Sequence, residues 1–215
     1  MTRASAPNLS GGFPSLVSLG LTEEILLNAA MSGYLALIDR TPHHPEFATG
    51  ITAWGEVVSR LRAGLAPLGW QYDDRHNYAR SINVEKQVAI VVATGDSNTG
   101  ISGSIPATKS PKGSKTIRAL KKNRDLQGVQ QLCLPGFQPE SEENDQNLTT
   151  WIYLYHCAEN EIRSELSLPL NIGNGRYINT WQQRIILRPL PLGSSSIEIK
   201  PPDQPEIDIN IKRRA

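Results

Sequence analysis

Seven cationic side chains fall within one short run: Lys109, Lys112, Lys115, Arg118, Lys121, Lys122 and Arg124, with no acidic residue among them. Cations separated by Gly, Ser and Pro suit a phosphate backbone, because each head group can reach an anionic oxygen without a fixed geometry. Ser110, Ser114 and Thr116 add neutral donors. The run has no aromatic residue, so stacking within it cannot supply affinity for single strands. No pattern for reading base edges accompanies it. An acidic stretch then reverses the sign, with Glu140, Glu142, Glu143 and Asp145. The run therefore reads in two ways. It is a contact surface for a nucleic acid or nucleoprotein complex, or it is a solvated segment neutralised by its own acidic sequel.

Other residues could do chemistry only if the fold gathered them. Thr94-Gly95-Asp96-Ser97-Asn98-Thr99-Gly100 offers a carboxylate, hydroxyls and glycines that let the backbone approach an anion or metal. It lacks the Gly-Lys-Ser/Thr ending of a phosphate loop. A turn in which Asp96 and Asn98 bond their own backbone explains the same residues. Divalent-metal chemistry would need acids to converge from among Glu85, Asp96, Glu159, Glu161 and Glu165. A metal-dependent hydrolase of phosphodiesters or nucleotides would centre on Asp96, with Glu161 or Glu165 opposite. Arg163 shares their alternation, which is also the pattern of a solvent-facing strand.

His43 and His44 are adjacent between prolines and cannot form an i, i+4 ligand pair. His76 beside Asp73 and Asp74 reads as a small acid–base cluster or as a charged turn, and His156 as a hydrogen-bonded core residue. No Gly-x-Ser-x-Gly elbow is present. Cys133 and Cys157 form no CxxC pair, and Cys157, ending an apolar run, is expected to be a buried thiol. No cofactor is expected.

These groups need elements to hold them. Thr22, Glu23 and Glu24 open a helix with apolar Ile25, Leu26, Ala29, Ala30, Leu37 and Ile38, stopped by Pro42. Ile51, Trp54, Val57, Val58, Leu61 and Leu65 recur at helical steps and predict a second helix over 51–66, ended by Pro67 and Gly69. Residues 78–84 predict a strand, and 88–93, continuous and β-branched, a central strand covered on both faces. Within 94–147 a short helix over 114–123 is the one regular element expected. Residues 149–157 alternate Trp151, Tyr153 and Tyr155 against Ile152, Leu154 and His156. The three aromatics are either a stacking platform or a core layer completed by Trp54. Residues 161–168 place Ile162, Leu166 and Leu168 inward, with Glu161, Arg163 and Glu165 outward. Asn174-Gly175 signals a type I′ hairpin turn, 177–187 a further strand, and Pro189 and Pro191 the end of pairing.

The fold class expected is α+β, with two N-terminal helices packed on a largely antiparallel sheet, a long charged insertion and an extended Pro-rich C-terminal tail. The organisation is a flexible segment 1–20, one domain 21–192 containing the loop-rich charged insertion 94–147, and the tail 193–215. A chain of 215 residues with 39% hydrophobic content fits a single domain with a modest core. Mean hydropathy is −0.34, and no apolar stretch is long enough to cross a bilayer, so no membrane partner is expected. The first twenty residues lack the order of a signal peptide, and a cytoplasmic location is expected. The leading function is that of a non-enzymatic binding or accessory protein engaging nucleic acid or a nucleoprotein through the basic run. The alternatives are the metal-dependent hydrolase and a protein-binding module. In the latter, the alternating isoleucines of the tail (Ile197, Ile199, Ile207, Ile209, Ile211) meet a protein partner.

Overall fold

Helix α1, Glu23–Ile38, starts at Thr22, whose hydroxyl accepts a hydrogen bond from the Ile25 amide at 3.4 Å. Glu23 and Glu24 lie in its first turn, where unsatisfied amides favour carboxylates. It buries Leu26, Leu27, Ala29, Ala30 and Gly33. Helix α2, Ala48–Leu65, buries Ala53, Val57, Leu61 and Leu65, one residue per turn. Gly33 permits the two helices to touch, since a Cβ there would lie 2.4 Å from Val57 Cγ2. A 3-10 turn, Ala66–Leu68, then ends at Gly69 in the left-handed region, φ 78°. The structure is a computed structural model and describes residues 14–45, 48–126 and 148–192. The N-terminal segment to residue 13, the acidic stretch with Cys133, and the tail from residue 193 lie outside the described residues.

After the helices come β1 (Gln71–Asp73), β2 (Arg80–Asn83) and β3 (Val88–Thr94), an antiparallel meander. Helix α3, Ser114–Leu126, belongs to the connection to β4 (Thr149–Cys157), which pairs parallel to β3. β5 (Glu161–Asn171) and β6 (Thr180–Ile186) continue antiparallel, and β7 (Leu190–Pro191) pairs with the start of β5. The described residues thus form one mixed, mostly antiparallel sheet in the order β1-β2-β3-β4-β5-β6, an α+β architecture. The parallel β3–β4 pair requires a long crossover, which is what the segment after residue 94 supplies. Among the described residues no helix is long and apolar enough to cross a membrane.

Three local expectations change. Pro191 does not end pairing, because Leu190 and Pro191 lie opposite Ile162 and Glu161. An edge position tolerates the missing N–H. The β5–β6 connection is longer than a two-residue hairpin. It contains a 3-10 turn, Asn174–Arg176, with Gly175 and Arg176 both at positive φ (68° and 67°). Glu165, expected to face solvent, is fully buried.

The alternation along β4 divides the core in two. Trp151, Tyr153 and Tyr155 join Ile90, Val92, Ile162 and Leu166 beneath α1 and α2. The buried Tyr153 hydroxyl donates to the Leu26 carbonyl at 2.6 Å and fastens α1 to the sheet. The aromatic row is therefore a core layer, closed to any base. On the other face, Ile152, Leu154 and Ala93 meet Leu120 of α3 and Ile178.

At the β1 edge, Asp73 accepts from Arg75 (2.9 Å) and pairs with Arg80, its neighbour across the strands. Hydrogen bonding to Arg75, then to Arg80, holds its carboxyl far below the usual carboxylate range against the opposing effect of burial. A depressed carboxylate stabilises the fold fully above the unfolded pKa of about 3.9, and that stabilisation disappears as pH falls through the folded value. Denaturant midpoints recorded from pH 6 to pH 2 are expected to fall more steeply for the wild type than for Asp73→Asn. Parallel curves would show that the pairs contribute nothing.

Candidate nucleic-acid interface

Helix α3 turns the basic run into an oriented surface. Thr116, Leu120 and Asn123 are buried, at spacings that place them on one side. The three- and four-residue steps from Lys115 to Arg118 to Lys122 fall on the other side, with Lys121 flanking them. Arg118 and Lys121 are exposed, and Lys115 and Lys122 half-buried. Asp125, four residues after Lys121, is the one acid on the helix. Arg124 follows Leu120 by four and so lies nearer the sheet, half-buried.

Asn123 fixes the helix against β4. Its amide nitrogen donates to the Thr150 carbonyl and its oxygen accepts from the Thr150 amide, both at 2.8 Å. The reason lies in the neighbouring strand. The β4–β5 register ends at Ile152 opposite Ser167, and continuing it by two residues would set Thr150 opposite Pro169, which has no N–H. The Asn123 side chain supplies the partner that the strand cannot.

The segment before α3 is pinned rather than loose. Gly95 N–H donates to the Tyr155 carbonyl (2.9 Å), Lys109 N–H to Thr94 (2.8 Å), Thr108 N–H to Ile178 (3.0 Å) and Lys112 N–H to Arg176 (2.8 Å). Glu165 and Arg184 clamp its middle. Arg184 pairs with Glu165 at 2.6 Å and donates to the Ile101 and Ser104 carbonyls. Glu165 also accepts from Gly100 N–H (2.9 Å) and the Ser167 hydroxyl (2.6 Å). Residues 95–113 thus lie across β5 and β6, beside α3, which packs on β4 and β5.

While α3 carries the later cations back along β4 toward Thr150 near its amino end, this architecture brings Lys109 and Lys112 to the carboxyl end of the parallel pair. Lys109 is exposed there. Lys112 is half-buried, and loss of water pushes its ammonium down to about 8. Residues outside the basic run join the same end. Arg176 meets Lys112 through the backbone, and Arg163 and Lys109 both act on His156, whose Nδ1 lies 3.3 Å from the Gly95 carbonyl. Burial, more than these cations, lowers the His156 pKa. Nothing in local sequence marks Arg163 or Arg176 as neighbours of the run. Their proximity follows from register.

The competing constellations look different in space. Asp96 accepts from the Asn98 amide at 3.1 Å, the self-bonded turn that its residue types allow. Glu161 lies 3.4 Å from Arg163, and the Glu165 carboxylate is occupied by Arg184, Ser167 and Gly100. Among the described residues no three His, Cys, Asp or Glu side chains gather as a metal would require. His44 Nδ1 bonds within its own turn at Thr41. Cys157 is a free thiol raised to about 11 by burial, hence protonated and unreactive near neutrality. Compared with protein-family models, with curated proteins and with solved structures, the chain matches none.

Proposed function

We propose that the protein is a non-enzymatic binding protein that engages a nucleic acid, or a nucleoprotein containing one, through the outward side of α3 and the lysines leading into it. The observation that carries this reading is the division of α3. Thr116, Leu120 and Asn123 are spent on the sheet, while Lys115, Arg118, Lys121 and Lys122 are directed elsewhere. A helix anchored by buried hydrogen bonds holds its cations at fixed spacing, which lowers the ordering cost of meeting a phosphate backbone. The surface carries charge without aromatics, so the expected ligand is a backbone recognised with little sequence preference.

The test is fluorescence anisotropy with labelled duplex and single-stranded oligonucleotides over a range of salt. Replacing Lys115, Arg118, Lys121 and Lys122 together by glutamine is expected to weaken binding about tenfold or more near physiological salt. It should also reduce the log–log salt slope by about 3, close to the loss of one counterion per contact. Binding that keeps both its strength and its slope in this variant would rule out the α3 surface.

A further inference from the structure

The two edges of the sheet are built differently. β1 is three residues long, and its Asp73 is engaged by Arg75 and by Arg80 of β2. Short, charged edge strands resist pairing with other strands. The opposite edge is β6, seven residues, continued by β7 along the same side of β5. Its sequence, Thr-Trp-Gln-Gln-Arg-Ile-Ile, is rich in β-branched and aromatic residues, with no proline and a single charge. That charge, Arg184, is spent on Glu165 and on the Ile101 and Ser104 carbonyls. Nothing in β6 discourages a further strand.

The backbone of this edge is also open. The Leu187 N–H donates to the Ser164 carbonyl at 3.1 Å, and Glu165 lies opposite Ile186. Antiparallel alternation then turns the Ile185 and Leu187 amides toward β5 and the Arg184 and Ile186 amides away from it. Among the described residues no strand lies beyond β6. Pro14 comes near, but its carbonyl accepts from the Gln183 side chain (2.6 Å) and not from the strand's backbone.

We infer that the C-terminal segment of the same molecule adds to this edge as an antiparallel strand, with Ile207–Ile211 along β6. The described chain ends at Leu192, whose N–H donates to the Asn160 carbonyl at 2.8 Å, so residues 193–215 depart from one end of the same edge. Gly193-Ser194-Ser195-Ser196 is turn-forming. The path from Leu192 back to Ile186 is about 20 Å of extended chain, well within reach of the residues that precede Ile207. Pro201, Pro202 and Pro205 cannot donate to a ladder, which leaves Ile207-Asp208-Ile209-Asn210-Ile211 as the longest alternating run. Tethering sets its effective concentration in the millimolar range, ahead of a second copy in dilute solution. Residues 1–13 also connect near Gln183, but they hold Pro7, Gly11 and Gly12 and no alternating run.

The experiment measures amide hydrogen exchange by NMR on the full 15N-labelled chain and on Asp208→Pro/Ile209→Pro, with sedimentation of both. The two positions are adjacent, so one of them loses an N–H that faces β6. The expected wild type is a monomer whose Arg184 and Ile186 amides exchange at least about tenfold more slowly than unpaired amides. The variant should lose that protection while Ile185 and Leu187, bonded to β5, keep theirs. Fast exchange at Arg184 and Ile186 in the wild type would overturn the pairing. So would protection that survives the prolines, which assigns the edge to another occupant. A wild-type dimer that the prolines dissociate would assign the strand to a second copy and overturn its placement within one molecule.

Discussion

Arg184→Met is expected to lower the free energy of unfolding by about 3–5 kcal/mol, the range seen when one partner of a buried ion pair is removed. The Glu165 side chain is fully buried and Arg184 is 18% exposed, so solvent cannot take over the lost interaction. The variant also leaves the Ile101 and Ser104 carbonyls without their donor. Unpaired buried acceptors cost about 1–3 kcal/mol each when no water reaches them. The double variant Glu165→Leu/Arg184→Met is expected to recover part of the loss, because it removes the stranded carboxylate while the loop carbonyls still lack a partner. Urea denaturation of the single and double variants measures both. A single variant as stable as wild type would mean that the clamp is not holding residues 95–108 on the sheet.

Asn123→Ala is expected to cost about 2–4 kcal/mol, since it strands both the amide and the carbonyl of Thr150 in a buried position. The diagnostic signature is local. The Thr150 amide should lose its protection from hydrogen exchange while amides at the centre of the sheet keep theirs. The same substitution reaches function without touching a charge. If α3 presents the cations as a preorganised set, loosening its anchor weakens oligonucleotide binding although every lysine and arginine remains. Wild-type affinity in a variant with an exchanging Thr150 amide would separate the charge of the helix from its placement.

How much of this was legible in the chain depends on the range of the interaction. The Thr22 cap, the four-residue spacing of Val57, Leu61 and Leu65, and the alternation of Trp151, Tyr153 and Tyr155 are local signals, and each corresponds to the observed element. Residues 114–123 read as a helix, and it extends to Leu126. The parallel pairing of β3 with β4 was hidden, because direction is decided by the crossover and not by the strands it joins. Glu165 was misjudged for a related reason. Alternation identifies the face of a strand, but only tertiary structure reveals that residues 95–108 lie across that face. The cations of the basic run were visible as composition. Their division between sheet and solvent was set by Thr116, Leu120 and Asn123, whose burial depends on partners in β4.

The parallel seam has a kinetic consequence. β1, β2 and β3 form a meander from neighbours in the chain, as do β4, β5 and β6, so each half can assemble over short loops. Joining them brings together residues such as Thr94 and Tyr155, 61 positions apart. The entropy of closing that long loop is lost before the seam's contacts are made. The β3–β4 ladder is therefore expected to be the late step of folding, and α3, which packs on β4 and belongs to the crossover, lies between the two halves in sequence.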